Sequence, residues 1–223
     1  AIDDLSGGNI NFLNLFLKQI IFFRTDVSKK KINRNLKKKI KNIKFDEIWL
    51  LAANSDIKKG IINSQIDYKN TYLTTFNFLN NIKANLKKNT KIIFTSSSAV
   101  YGKVDEKKIL YEDKGPFNPI SNYGAMKLAS EAYVSYFASK YKITYHIYRL
   151  PNVIGENITH GIFYDMKKKF KNNNSKVSVL GNGNQKKPYM YCDDLIKIFS
   201  KNKKNISLVM NIGQNDEGIT VKK

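Results

Sequence analysis

A tyrosine and a lysine stand four residues apart in the segment YGAMK, at Tyr123 and Lys127. In an α-helix this spacing places both side chains on one face, where an ammonium group can stabilise a phenolate. The spacing alone is weak evidence, because 13 tyrosines in a lysine-rich chain give about two such pairs by chance. The sequence contains two further pairs, Tyr136/Lys140 and Tyr164/Lys168. Additional context must therefore single out one pair.

Small and acidic residues follow four predicted strands, in positions that suit contact with a ligand. Open α/β sheets bind ligands at the carboxyl ends of their strands. An acidic residue there can bind adenosine ribose hydroxyls, and small residues let the backbone approach a flat or charged ligand. Turn formation would explain each segment taken singly. The four segments are Asp3, Asp26, Ala52-Ala53-Asn54-Ser55 and Ser96-Ser97-Ser98.

Apolar runs alternate with helix-length segments along the first 150 residues. This alternation predicts βαβ units, and the fold class is therefore α/β with a doubly wound parallel sheet. The predicted strands are 20–23, 47–53, 91–98 and 143–150, and the predicted helices are 31–43, 62–86 and 123–141. Core residues of helix 62–86 are expected at Ile62, Ile66, Tyr72, Leu73, Phe76, Leu79 and Ile82.

The texture of the sequence changes after Pro151, where clusters of glycine, asparagine and lysine separate short elements. Such clusters are typical of loops, and functional residues are often carried on loops. We therefore divide the chain into residues 1–150, which form the sheet, and residues 151–223, a small substrate-binding region interleaved with the sheet edge.

The composition favours a protein of a reducing compartment such as the cytoplasm, because Cys192 is the single cysteine. No apolar run approaches the ~20 residues that a membrane span needs. The net charge of +21 could serve nucleic-acid binding, but only three of the 39 basic residues are arginine. Because arginine supplies the bidentate contacts to bases, we favour solvated lysine-rich helix faces and expect no nucleic-acid partner. The sequence also predicts no metal site.

The order of several motifs resembles the extended short-chain dehydrogenase/reductase family. The motifs are DDLSGG, LLAANSDIKKG, TSSSAVYG, PISNYGAMKLASEAY, RLPNVIG and LGNGNQKKPYMYCDDL. More narrowly, the chain resembles NAD-dependent epimerases and dehydratases, and most of all nucleotide-sugar epimerases similar to UDP-glucose 4-epimerase. The resemblance implies a Rossmann-like NAD-binding domain at residues 1–150, a nucleotide-sugar-binding region at 151–223, and a place in polysaccharide biosynthesis.

The resemblance implies that Ser97, Tyr123 and Lys127 are catalytic, because the family's tyrosine and lysine lie on the helix after a serine-containing strand end. Epimerisation through a ketone removes the proton of a sugar hydroxyl while hydride passes to NAD⁺. A tyrosine with an unperturbed pKa of ~10 is a poor base at neutral pH. Lowering that pKa to neutrality requires ~4 kcal/mol, of which an ammonium at ~5 Å supplies roughly 3. We expect Lys127 to act in this way, with help from the positive charge of oxidised nicotinamide.

Further site residues follow from the same resemblance. The cofactor is expected to contact Asp3, Asp26, Val27, Leu51, Ala52, Ala53, Ser55, Asn70, Tyr123 and Lys127. The nucleotide sugar is expected to contact Ser98, Asn152, His160, Gly181 and Lys187. Lys187 stands where family members often have arginine, which grips phosphate with better geometry than lysine. His160 could equally be an ordinary loop residue.

The residues after Ser97 favour an epimerase. The family's 4,6-dehydratases carry Thr-Asp-Glu where this chain has Ser97, Ser98 and Ala99, so the acid and base for eliminating water are absent. We expect C4 epimerisation of a UDP-hexose by a homodimer paired through helices 62–86 and 123–141. The alternatives are another nucleotide-sugar outcome, by a reductase or a C2, C3 or C5 epimerase, and a catalytically silent NAD-binding relative.

One family motif has no counterpart in this chain. The glycine-rich turn that follows the family's first strand is missing, together with that strand. The first strand is central in a doubly wound sheet, and the turn leads into the helix N-terminus that binds the pyrophosphate. We therefore expect these 223 residues to be a fragment in which two strands lack a ladder partner, which lowers its stability, and which binds NAD poorly and is inactive as it stands.

Overall fold

The computed structural model describes residues 1–54, 56–104, 109–171, 184, 186–213 and 219–220. The chain divides into two compact units. The first unit contains Ala1–Arg149 and Asn205–Asn211, and the second contains Leu150–Lys204 and Ile212–Lys223. No helix in the described ranges has the length and apolarity that crossing a membrane would require.

The strands alternate with helices along the chain. The strands are β1 Ile2–Asp3, β2 Phe23–Arg24, β3 Glu47–Leu50, β4 Lys91–Ser97, β5 Thr144–Leu150, β6 Asn152–Ile154, β7 Lys186–Lys187, β8 Tyr189–Tyr191, β9 Leu208–Asn211 and β10 Ile219–Thr220. The α-helices are α1 Arg34–Ile40, α2 Ile57–Ile62, α3 Ser64–Asp67, α4 Thr74–Ile82, α5 Asn122–Tyr141, α6 Ile162–Lys171 and α7 Cys192–Lys201. Shorter turns of 3₁₀ helix lie at Ile10–Leu13, Lys83–Asn85 and Ser98–Tyr101, and a π-helical turn at Tyr68–Leu73.

The first unit is built on a four-stranded sheet with the order β3-β4-β5-β9. The pairs β3–β4 and β5–β9 are parallel, as expected for βαβ connections. Strands β1 and β2 form a separate parallel pair, so within the described residues β3 is an edge strand. Helices flank the sheet, which confirms the predicted α/β class.

The core of the first unit lies between the sheet and the helices. Ile92 and Phe94 of β4 are buried against Val134 and Phe137 of α5 and Leu79 of α4. A strand that is covered on both faces is nearly all apolar. The apolar run Ile92–Phe94, which precedes TSSS, therefore predicted this strand correctly. Burial of this cluster holds α5 against the sheet. It thereby fixes the position of each α5 residue relative to the strands.

The predicted helix 62–86 is helical from Ser64 to Asn85, with a π-helical turn at Tyr68–Leu73 and a 3₁₀ end at Lys83–Asn85, but it begins two residues later than predicted. The chain breaks at Asn63, which has extended φ and ψ and whose side chain accepts a hydrogen bond from the Gln65 N–H. An N-cap of this kind satisfies the first free donors of a new helix, so α2 ends at Ile62 and the predicted helix starts at Ser64. The predicted core position Ile62 is consequently 86% exposed, whereas Leu79 and Ile82 are fully buried as predicted.

Three other predicted elements are shorter in the structure. The strand predicted at 20–23 is reduced to β2 at Phe23–Arg24, and the helix predicted at 31–43 forms only at Arg34–Ile40 after the N-cap Asn33. The strand predicted at 47–53 ends at Leu50. Residues 51–53 are therefore loop residues beyond the carboxyl end of β3. The strand was predicted too long because the apolar and small residues of the sequence continue past its last paired residue.

The second unit contains two small sheets and two helices. Strands β6 and β8 pair in parallel, and β7 and β10 pair antiparallel. Gly155 follows β6 at a close approach, since a Cβ built there would lie 3.0 Å from the Cβ of Cys192 at the start of α7. The roles predicted for residues 1–150 and 151–223 stay predictions.

Candidate active site

The hydroxyls of Tyr123 and Ser97 meet at the carboxyl end of β4. Ser97 ends that strand, and its Oγ accepts a hydrogen bond of 3.2 Å from the Ala99 N–H. Tyr123 is the second residue of α5, and its phenol lies close enough to the Ser97 side chain for the serine to oppose the rise in the pKa of the phenol. Ser121 caps α5 by accepting from the Gly124 N–H at 3.0 Å. Two caps thus fix the strand end and the helix start that carry the two hydroxyls.

A glycine lets these two elements come together. A Cβ built on Gly124 would lie 2.5 Å from the Ala99 carbonyl oxygen and 3.0 Å from the Cβ of Pro119. Any larger residue would push the start of α5 away from the turn that follows Ser97. Sequence reasoning missed Gly124, although its position directly after Tyr123 was the available signal.

Lys127 lies buried under Tyr123, with only 2% of its surface exposed. Its Nζ donates to the Thr95 carbonyl at 2.6 Å, and lies 4.9 Å from the Phe94 ring centroid and 5.8 Å from the Tyr123 ring centroid. Burial lowers the pKa of Lys127 to about 7, against the opposing charge of Glu131. Lys127 is therefore a lysine that can lose its proton near neutral pH.

The expectation that Lys127 lowers the pKa of Tyr123 is wrong for the protein groups taken alone. Burial raises the pKa of Tyr123 to about 12; the hydrogen bond from Ser97 opposes this rise and the Asp67 charge adds to it. Asp67 is fully buried and accepts from Asn54 Nδ2 at 2.7 Å. The physical reason is desolvation, which penalises the phenolate and the ammonium together.

The second Tyr-x-x-x-Lys pair of α5 shows what distinguishes Tyr123. Lys140 Nζ lies 5.9 Å from the Tyr136 ring centroid, nearly the distance found for Lys127. Tyr136, however, is 56% exposed and lies on the solvent side of the helix. Burial and the Ser97 contact, rather than the spacing, set the first pair apart. The third pair, Tyr164/Lys168, lies on α6 in the second unit.

The acidic cofactor candidates of the first unit lie directly after β1 and β2. Asp3 accepts a hydrogen bond from the Leu5 N–H at 2.6 Å. Asp26 accepts from Ser28 and pairs with Lys69 at 3.3 Å. Burial works against ionisation of Asp26, but the Ser28 hydrogen bonds and Lys69 bring its pKa below the ordinary value. The carboxylate of Asp26 is thus an anionic acceptor at neutral pH. Val27 is half-buried beside Asp26.

The remaining cofactor candidates follow β3 or lie in the π-helical turn. Leu51 is 58% exposed, Ala52 is exposed and Ala53 is half-buried, so this loop presents backbone and a small apolar surface. Asn70 is half-buried, and its carbonyl accepts from the Thr74 hydroxyl at 3.2 Å. Such side-chain bonds to the backbone accompany irregular helical turns, which are frequent at functional sites. Ser55 lies outside the described residues.

The substrate candidates divide between the units. Ser98 is exposed at the start of the 3₁₀ turn in the first unit. In the second unit Asn152 opens β6, is exposed, and donates from Nδ2 to the Pro188 carbonyl at 3.2 Å. His160 is half-buried in a loop, with Nδ1 3.2 Å from the Thr159 hydroxyl. The backbone of Lys187 pairs with Ile219, while its side chain and Gly181 lie outside the described parts.

A buried ion pair lies one turn beyond Lys127 and was missed at the sequence level. Arg149 Nη2 donates to Glu131 Oε2 at 2.7 Å, and both side chains are nearly inaccessible. The available signals were the four-residue spacing from Lys127 to Glu131 and the rarity of arginine. Lys127 thus has Tyr123 on one side and Glu131 on the other along one helix face.

Comparison with known proteins assigns the chain to a family. A family model described as the NAD dependent epimerase/dehydratase family matches residues 8–213. The chain belongs to this family. As an epimerase/dehydratase it is NAD-dependent, which confirms the predicted recognition and the predicted cofactor.

Relatives of this epimerase/dehydratase include both branches of the family. It is 30% identical to a putative UDP-glucose 4-epimerase of Methanocaldococcus jannaschii, over 97% of this chain and 68% of the relative. It is 28% identical to a dTDP-D-glucose 4,6-dehydratase of Dictyostelium discoideum, over 94% of this chain but only half of that relative. Among solved structures, it resembles UDP-glucuronic acid 4-epimerase from Bacillus cereus in complex with UDP-glucuronic acid and NAD. That match has a TM-score of 0.81 and 26% identity, and covers 99% of this chain and 70% of the other. The Rossmann-like fold is thereby confirmed.

The epimerase/dehydratase site contains residues that fit NAD. The buried amine of Lys127 has the Thr95 carbonyl as its one hydrogen-bond acceptor among the described residues, so one further N–H of the neutral amine, or two of the ammonium, would be available to ribose hydroxyls. The carboxylate of Asp3 offers an acceptor to the adenosine ribose. Bound NAD would supply a hydride acceptor and a positive charge beside the tyrosine.

Proposed function

We propose that this protein is an NAD-dependent 4-epimerase of a UDP-hexose, with Tyr123 transferring the proton of the C4 hydroxyl. The observation that carries the proposal is the half-buried Tyr123 phenol, which lies next to the Ser97 side chain and near the Lys127 amine. Epimerisation at C4 passes through a transient 4-keto sugar, so one group must remove and return the same hydroxyl proton. A phenol can return the proton as an acid, and its phenolate can remove the proton as a base. A serine hydroxyl beside it can hydrogen-bond the same sugar oxygen.

The proposed chemistry follows from the site's protonation. Tyr123 holds its proton at neutral pH in the protein alone, because burial raises its pKa to about 12. It therefore acts as a base only when a bound cation stabilises the phenolate, and as an acid otherwise. Ser97 would donate to the sugar oxygen and shorten the path of the proton. Lys127 would orient the nicotinamide ribose and contribute positive charge.

Ser98 and Ala99 favour the epimerase over a 4,6-dehydratase. The dehydratase branch is represented among the relatives at 28% identity. Elimination of water needs an additional acid and base, whereas the positions after Ser97 hold an exposed serine and an alanine. An alanine cannot transfer a proton. For the second unit we propose that Asn152, His160, Gly181 and Lys187 contact the nucleotide part of the substrate.

The test uses the protein expressed from its complete coding sequence, incubated with NAD and in turn with UDP-glucose, UDP-N-acetylglucosamine and UDP-glucuronic acid. We expect NMR to show the C4 epimer of at least one of them and no 4-keto-6-deoxy product. Tyr123→Phe should reduce turnover by at least a hundredfold, because general acid–base groups typically contribute 10²–10⁴-fold.

The matched control is Tyr136→Phe on the same helix, which removes a hydroxyl with nearly the same distance to a lysine. It should leave turnover unchanged, because Tyr136 is exposed and has no Ser97 contact. Equal losses in the two variants, or full turnover by Tyr123→Phe, would refute the assignment of the base. A protein that binds NAD yet converts none of the three sugars would refute the epimerase.

A further inference from the structure

Glu131 and Arg149 form a bidentate ion pair in the interior of the first unit. Arg149 Nη2 donates to Oε2 at 2.7 Å and Nε donates to Oε1 at 3.0 Å. The side chains are 6% and 5% exposed, respectively. Ser96 also donates its hydroxyl proton to Oε1. Both carboxylate oxygens of Glu131 therefore have donors that are not Lys127.

Arg149 is itself held from several sides. Its Nη1 donates to the Tyr101 hydroxyl at 2.7 Å and to the Glu112 carbonyl at 3.1 Å. Its guanidinium lies 4.7 Å from the Phe117 ring centroid and 5.1 Å from that of Tyr101. A planar guanidinium that is stacked and bonded in this way has a fixed orientation. Arg149 consequently fixes the carboxylate of Glu131 as well.

Lys127 lies one helical turn before Glu131 but does not bond to it. Its Nζ donates to the Thr95 carbonyl, and no ion pair within 4.0 Å joins it to Glu131 among the described residues. A Coulomb interaction acts over several ångströms in a buried site, whereas a hydrogen bond needs contact. The carboxylate can therefore favour the ammonium form of Lys127 without occupying its N–H groups.

The titratable and charged groups around this amine come from three elements. Tyr123 and Glu131 lie on α5, Arg149 lies on β5, and Asp67 lies on α3 near Tyr123. Strand β4 contributes the Thr95 carbonyl and the Phe94 ring, neither of which titrates. Of these groups, Glu131 is the one whose charge raises the pKa of Lys127 against the effect of burial.

We propose that Arg149 holds the Glu131 carboxylate out of contact with the Lys127 amine, and that Glu131 is a positioning residue whose charge stabilises the ammonium form across this gap. The ammonium then keeps free donors for a ligand instead of being consumed in an internal ion pair. The importance of this arrangement for turnover rests on the proposed function, but the arrangement can be tested without turnover.

The test measures the protonation of Lys127 by NMR in protein labelled with ¹³Cε-lysine. The Lys127 signal is the one missing from the spectrum of Lys127→Met. Glu131→Gln keeps the size of the side chain and removes its charge, so the midpoint of the Lys127 titration should fall by about one pH unit. The exposed Lys140 on the same helix is the internal reference, whose signal should titrate identically in every variant.

Arg149→Met should have the opposite effect. Without its partner, Glu131 is free to turn toward Lys127, and the titration midpoint of Lys127 should rise by at least one pH unit. The alternative is that the Glu131–Arg149 pair only stabilises the fold and does not affect Lys127 by its charge. In that case either substitution would loosen the interior and admit water, and the midpoint would rise in both variants.

The double variant Glu131→Gln/Arg149→Met guards against a single variant that does not fold, because it leaves no unpaired buried charge. Its Lys127 midpoint should lie at least one unit below that of Arg149→Met. Opposite shifts in the single variants, or this difference between the double and single variants, support the proposal. Shifts in the same direction, or none, overturn it. Neither result depends on the epimerase assay, so failure of one proposal is distinguishable from failure of the other.

Discussion

Burial separates the pKa values of two residues that are nearly equal in water. A free tyrosine and a free lysine titrate within about half a unit of each other. In this site the pKa of Tyr123 is raised to about 12 and that of Lys127 is lowered to about 7, in both cases first by desolvation. Between those values the pair holds one proton, and it resides on the phenol. Tyr123 can therefore act as a base only when a bound positive charge stabilises its phenolate.

At the residue scale, we expect Lys127 to make stability depend on pH. The unfolded lysine keeps its proton up to about pH 10.5, whereas the folded one loses it near pH 7. The unfolded state therefore binds more protons in this interval, and the free energy of unfolding rises with pH. The expected rise from pH 7 to pH 9 is about 2 kcal/mol.

Urea unfolding at several pH values measures this dependence. Lys127→Met removes the titrating group, so its stability should change less with pH than that of the wild type over the same range. Lys140→Met is the control on the same helix and should keep the wild-type slope. A wild-type stability that falls between pH 7 and pH 9 by as much as it is expected to rise would contradict the assignment.

At the scale of elements, periodicity and apolar runs predicted the strands and helices whose buried faces pack in the core. Strand β4 and helix α5 were found within one residue of their predicted ends, because their buried faces give a strong pattern. The start of the helix predicted at 62–86 was placed two residues too early, because the capping side chain of Asn63 is a local signal that an apolar period does not contain. The pairing of Tyr123 with Ser97 came from the family resemblance rather than from residue patterns.

The element-scale prediction concerns the close approach of α5 to the end of β4. Gly124→Ala should destabilise the protein by about 1–3 kcal/mol, although alanine is intrinsically the better helix former. The added Cβ would lie 2.5 Å from the Ala99 carbonyl oxygen, a backbone atom that cannot rotate away. The start of the helix must shift, and turnover should fall together with stability.

Gly8→Ala is the control for this substitution, because a Cβ there has no atom within 4 Å. Urea unfolding should show a lower midpoint for Gly124→Ala and little change for Gly8→Ala. A Gly124→Ala protein as stable and as active as the wild type would show that the approach of α5 to Ala99 is looser than described.

At the scale of the whole molecule, charge patterning said little about function. A net charge of +21 is compatible with several partners, and the family assignment came from motifs spread over residues 8–213. The buried Glu131–Arg149 pair was missed as well, because the spacing of Glu131 from Lys127 and the rarity of arginine do not show which charges fold inward. Long-range partners depend on topology, and a single sequence specifies topology only weakly.

The remaining prediction concerns association of two copies. A row of aromatic rings runs from the π-helical turn across α4 to α5, and it is exposed at both ends, at Tyr68 (42%) and Tyr136 (56%). Aromatic surface of this kind is stabilised by burial, and a two-fold partner would cover both ends with the same residues. We therefore expect sedimentation to give twice the mass of one chain.

Tyr136→Glu places a charge in the expected interface and should shift the protein to monomers. Ile109→Glu is the matched control, because Ile109 is 76% exposed but lies outside α4 and α5. It should leave the dimer intact, since a charge on an uncovered surface costs little. A wild-type protein that sediments as a monomer at micromolar concentration would contradict pairing through these helices, and dissociation of both variants would place the interface elsewhere.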